Sequence, residues 1–86
     1  MTAKRRDIHY TMIIRWDPRD GIFVVSVPEL PGCMTHGETY EEAIAQGQDA
    51  IEGWLEVAEA DGTTPPPPRY FADSDIKLFS RERVTA

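Results

Sequence analysis

Hydrophobic and polar positions along this chain change period three times. Ile8, Tyr10, Met12, Ile14 and Trp16 alternate with His9, Thr11, Ile13 and Arg15. That two-residue period predicts a strand over 8–16. In Asp17-Pro18-Arg19-Asp20-Gly21, Pro18 presets one turn dihedral and Gly21 accepts positive φ. Residues 22–27 are β-branched and almost wholly apolar, which predicts a second strand, antiparallel to the first and covered on both faces. Pro28 removes a ladder donor and ends it. Pro31-Gly32 makes a tight corner, and a short third strand over 33–36 closes at Gly37.

Beyond Thr39 the period becomes helical. Thr39-x-x-Glu42 matches a capping box, and Glu41 and Glu42 suit the positive end of a helix dipole. Tyr40, Ala43, Ile44, Gly47, Ala50, Ile51, Trp54, Leu55 and Ala58 form one apolar stripe. Gly47 on that stripe costs about 1 kcal/mol relative to alanine, so a close approach to the sheet is expected there. Gly62 is a helix stop. Thr63-Thr64 and the prolines 65–68 predict polyproline II. Such a run either packs on its own domain or offers itself to an aromatic groove. Asp73-Ser74-Asp75 reads as a turn, 76–79 as a last strand, and 80–86 as a frayed tail. The expectation is one α+β domain over 1–86, ordered over about 8–79. Its order is β-β-β-α-β, a small antiparallel sheet with one helix on a face.

Charge sharpens this picture. The net charge is −6, and between Arg19 and Arg69 there are ten acids and no Lys or Arg. A surface of that sign repels nucleic acid and attracts a basic partner. It also serves simply as a solvated helix face. A single cysteine permits no internal disulfide, which suits a reducing cytoplasm. No apolar run is long enough for a secretory signal or a membrane span. At 86 residues the core is small, and homo-oligomerisation would help it.

The residue types offer little catalytic chemistry. His9 and His36 lack the companions a metal site requires. Cys33 has no basic neighbour and reads as a small buried hydrophobe. Serine elbows, phosphate loops and zinc motifs are absent. A two-metal nuclease wants acids projecting from strands, and the strands expected at 8–16 and 22–27 hold none. Trp54 belongs to the apolar stripe, whereas Trp16, Tyr70 and Phe71 are candidates for exposure. The basic Lys4-Arg5-Arg6 is a weak phosphate contact at most.

An ordered series of motifs then stands out: Val27-Pro28-Glu29-Leu30-Pro31-Gly32-Cys33, Thr35-x-Gly37-Glu38-Thr39, Glu41-Glu42-Ala43-Ile44, and the proline run. From about Tyr10 to Pro68 this resembles the N-terminal domain of HicB-type antitoxins. The resemblance implies a partial ribonuclease H-like fold without that enzyme's active site. It also implies a partner, a small basic mRNA-cleaving ribonuclease toxin that the antitoxin binds and covers. Many such antitoxins add a DNA-binding module, and Arg69 to Ala86 is too short to hold one. The expectation is therefore a non-catalytic cytoplasmic binding protein without metal or cofactor. Its candidate partner surface is Glu29, Leu30, Pro31, Gly32, Glu41, Glu52, Glu56 and Glu59. The alternatives are a stand-alone oligomeric structural or ligand-binding module and a residual nuclease.

Overall fold

A computed structural model describes residues 9–71. Three strands, β1 (Ile13–Asp17), β2 (Ile22–Ser26) and β3 (Met34–Gly37), precede one helix, α1 (Tyr40–Asp61). They form an antiparallel sheet in the order β1-β2-β3. This is the α+β arrangement expected, with the helix across one face. The strand expected at 76–79, the tail at 80–86 and the basic Lys4-Arg5-Arg6 lie outside the described residues.

Register sorts the side chains. Ile14 pairs with Val25 and Val25 with Thr35, while Arg15 pairs with Val24 and Val24 with His36. Val25, fully buried, faces α1. Strand alternation therefore places Ile13, Arg15, Val24, Ser26, Met34 and His36 on the opposite face. Ile13 and Met34 are exposed on it, and Arg69, Tyr70 and Phe71 border it beside Ile13. The expectation that the second strand is covered on both faces is thus corrected: within β2 only Val25 is buried.

The first strand also begins later than its alternation suggests. Residues up to Met12 leave the ladder because the Thr11 N–H donates to the Glu29 carboxylate, at 3.2 and 3.1 Å to its two oxygens. At its other end β1 reaches Asp17, an acid that the expected strand excluded. Its carboxylate accepts from the Arg19 N–H at 2.9 Å, with the Arg19 guanidinium at 3.3 Å. The Arg19 side chain first, then its backbone N–H, hold the Asp17 carboxyl below its ordinary value.

The helix signals behave as local chemistry dictates. Thr39 Oγ1 accepts the Glu42 N–H at 3.0 Å. The Glu42 side chain accepts from the Glu38 N–H at 2.6 Å, one residue before the cap. Gly62, at φ 74°, and Thr63 close the helix in a Schellman-type turn, with Thr63 N–H donating to Ala58 O at 2.9 Å. The buried helix residues are Ala43, Gly47, Ile51, Leu55 and Ala58. Tyr40 and Ile44, expected on the buried stripe, are exposed at its N-terminal end. At Gly47 a Cβ would overlap Met12 Sδ and press on Val25 Cγ1 at 3.2 Å, so the close approach expected there is present. Val27, Leu30, Cys33, Ile51 and Leu55 form the core, with Tyr10, Met12, Ala50 and Trp54 packed against it.

Candidate functional site

The link from β2 to β3 is two consecutive turns. Leu30 N–H donates to Val27 O at 3.1 Å, and Cys33 N–H donates to Leu30 O at 3.0 Å. Each turn has proline at its second position, and the second turn has Gly32 at φ 78° at its third, the type II pattern. Val27 N–H to Cys33 O at 3.0 Å ties the base of the corner.

This geometry divides the candidate residues. Leu30 keeps 1% of its surface exposed and anchors the core. Glu29, at 7%, is the one buried charged residue among those described. Its Oε2 accepts from Thr11 Oγ1 at 2.9 Å and from Arg69 N–H at 2.8 Å, besides Thr11 N–H. Burial alone would raise this carboxyl; the Arg69 and Thr11 donors outweigh it and hold the pKa below the ordinary glutamate value. Glu29 and Leu30 thus face inward and brace the corner, which corrects their placement on a presented surface. Pro31 and Gly32 remain exposed at its tip.

The helix acids share one stripe. At about 100° per residue, Glu41, Glu52 and Glu59 fall within about 20° of one another and Glu56 within about 60°. Glu41, Glu56 and Glu59 are exposed and Glu52 is half-buried. The corner tip lies toward the other flank, where Trp54 Nε1–H donates to Pro31 O at 3.0 Å. The candidate residues therefore fall into two patches, not one.

That second flank contains a cleft of about 510 Å³, a feature sequence reasoning missed. Gly32, Cys33 and Met34 line one side; Ala50, Gly53, Trp54, Val57, Ala58 and Asp61 line the other. Cys33 is buried, and burial pushes its thiol up in pKa, as suits an inert hydrophobe. The proline run packs back on its own domain, the first of the two readings. Tyr10 OH donates to Pro66 O at 2.6 Å, and the His9 and Tyr70 rings meet edge-on at 6.1 Å. Tyr70 and Phe71 are exposed, as is Trp16, whose ring contacts Phe23 at 4.9 Å. Among the described residues no group of His, Cys, Asp or Glu is placed to hold a metal ion, and no helix is long and apolar enough to cross a membrane.

A family model described as HicB-like antitoxin of bacterial toxin-antitoxin systems matches residues 10–77. The chain belongs to the HicB-like antitoxin family. A UPF0150 protein of Thermoplasma acidophilum is 49% identical over 47 residues, covering 55% of this chain and 67% of that protein. A UPF0150 protein of Archaeoglobus fulgidus is 42% identical over 48 residues, covering 56% of this chain and 68% of that protein. An uncharacterised 14.9 kDa protein of Haemophilus phage HP1 is 38% identical over 61 residues; the match covers 66% of this chain and 46% of the phage protein. No solved structure matches the chain. The HicB-like match begins at the Tyr10 that bonds the proline strap and spans the corner, the capped helix and the strap itself.

Proposed function

We propose that this HicB-like chain binds and neutralises a small, basic, mRNA-cleaving ribonuclease in the cytoplasm, acting as a non-catalytic cover. The observation that carries the reading is the acidic stripe Glu41, Glu52, Glu56 and Glu59, on a helix with no basic residue in its last turn, in a chain of an antitoxin family. A cationic RNA-binding surface is steered toward such a stripe. Pro31 and Gly32 belong to the proposed contact surface, with Glu29 and Leu30 fixing their position. The test is RNA cleavage by the product of the adjoining reading frame, measured with and without this chain. Neutralisation is expected, and Glu41→Lys with Glu56→Lys is expected to slow association by about tenfold or more at low salt. No inhibition of a basic ribonuclease, or an association rate indifferent to charge reversal, refutes the proposal.

A second reading is favoured by Ile13 and Met34 exposed on the sheet face opposite α1 and by exposed Tyr70 and Phe71: a stand-alone oligomeric module. Light scattering on the chain with and without Tyr70→Ser and Phe71→Ser separates the two. A stable oligomer that these changes dissolve, without any ribonuclease binding, favours the second.

A further inference from the structure

We propose that the cleft between β3 and the C-terminal half of α1 receives an extended, apolar-and-basic strand of a partner polypeptide, added to the open edge of β3. Three independent observations converge on this cleft.

The first is Gly53. A glycine inside a helix is unfavourable relative to alanine. Gly47 has an internal reason, since a Cβ there would meet Met12 and Val25. Gly53 has none: a Cβ there meets nothing within 4 Å. It is exposed, and it lines the cleft. A side chain at this position would occupy the cleft while improving the helix.

The second is the edge. Among the described residues β3 pairs only with β2. Cys33 O accepts from Val27 on the β2 side, so alternation along the strand turns the N–H and C=O of Met34 and His36 toward the open edge. Unpaired edge groups beside an apolar cleft are the arrangement that strand addition uses. Trp54, Val57 and Ala50 supply the apolar lining for alternate side chains.

The third is charge. The cleft runs to the C-terminal end of α1, where the helix dipole is negative, the last turn carries no basic residue and Asp61 lines the wall. Lysine or arginine in the incoming strand is matched there, whereas a second copy of this chain would bring another Asp61.

This inference rests on the ribonuclease-binding reading and locates part of its contact. The test uses the full chain and two labelled peptides, one alternating valine with lysine and the other valine with glutamate. In the free chain the Met34 and His36 amides are expected to exchange rapidly. The lysine peptide is expected to bind, to protect those amides and to shift Trp54 emission. Gly53→Ala is expected to raise Tm by about 4–8 °C. Gly53→Leu should keep the fold and weaken the lysine peptide by about tenfold or more. Equal affinity for the glutamate peptide overturns the proposal, as does indifference to Gly53→Leu. Amide protection already present in the free chain at low concentration names the chain's own residues 72–86 as occupant, and protection that grows with protein concentration names a second copy; either overturns it. The two readings fail separately. Full ribonuclease neutralisation by Gly53→Leu removes the cleft and leaves the function, whereas peptide binding without neutralisation removes the function alone.

Discussion

Replacing Glu29 by glutamine tests whether a buried charge ties the leading residues and the proline strap to the corner. Glu29 Oε2 has Thr11 N at 3.1 Å, Thr11 Oγ1 at 2.9 Å and Arg69 N at 2.8 Å, while Oε1 has Thr11 N at 3.2 Å. Glutamine can put its carbonyl at the Oε2 position, but its amide then faces the Thr11 N–H, donor against donor. Hydrogen bonds to a charged group contribute about 1.5–3 kcal/mol and neutral ones about 0.5–1.5. Weakening the two bonds to backbone amides by about 1 kcal/mol each gives about 2 kcal/mol, or about 8–16 °C in Tm for a domain of this size. Circular-dichroism melts of both proteins at pH 7 and downward read this directly. The acid limb has a definite sign. The folded-state pKa of Glu29 lies below the ordinary value of 4.5, so the folded state binds fewer protons than the unfolded one between the two values. The carboxylate's stabilisation is complete above the unfolded pKa and is lost as pH falls through the folded one. The gap between wild type and Glu29→Gln is therefore full at pH 7 and closes in acid. A shift under about 3 °C at pH 7, or a gap that persists unchanged in acid, refutes the reasoning.

Gly37→Ala is expected to destabilise by at least about 2 kcal/mol in urea melts, because its Cβ would stand 2.5 Å from Ala43 N and 2.8 Å from Ala43 Cα, backbone atoms that cannot turn aside. Thr39→Ala removes the acceptor for Glu42 N–H and costs about 1 kcal/mol, read from the same melts. Tyr10→Phe loses the bond to Pro66 O and loosens the strap; trypsin cleavage after Arg69 is expected to accelerate while the melting of the core shifts by about 1 kcal/mol or less.

The features legible in the sequence are those with local causes. Pro28 ends β2, Gly32 turns the corner, Thr39 starts the helix and Gly62 stops it, each through dihedral or hydrogen-bond chemistry confined to a few neighbours. Alternation over 8–16 gave no hint that Thr11 leaves the ladder, because its competing acceptor is Glu29, 18 residues away. Glu29 itself, between two prolines in a loop, carries the local signature of an exposed acid. Its burial is a tertiary effect, and the fully apolar Leu30 beside it was the only signal. Helical periodicity named Tyr40 and Ile44 with the core because both share the azimuth of the buried residues; they lie in the first turns of α1, where their side chains stay exposed. Phe23 instead meets Tyr40 in a stacked contact at 4.3 Å near the surface. Gly47 falls on the apolar stripe and Gly53 off it, so periodicity anticipated the close approach at the first, whereas the cleft beside the second is visible only in the packing.

The division of the candidate surface into two flanks has a kinetic consequence. Taking α1 at about 100° per residue, Ala50 and Val57 lie roughly opposite the stripe of Glu41, Glu52 and Glu59. Long-range charge attraction acts before contact and is screened by salt; a packed cleft acts after contact and is not. For the proposed partner, charge reversal on the stripe is therefore expected to change the association rate and its salt dependence, and filling the cleft at Gly53 to change dissociation. A partner that spans both flanks shows the two effects additively in free energy, since the sites share no side chain. A partner gripped by the stripe alone shows a strong salt dependence and no response to Gly53→Leu. Rapid-mixing kinetics on the two variants and their combination discriminate these cases.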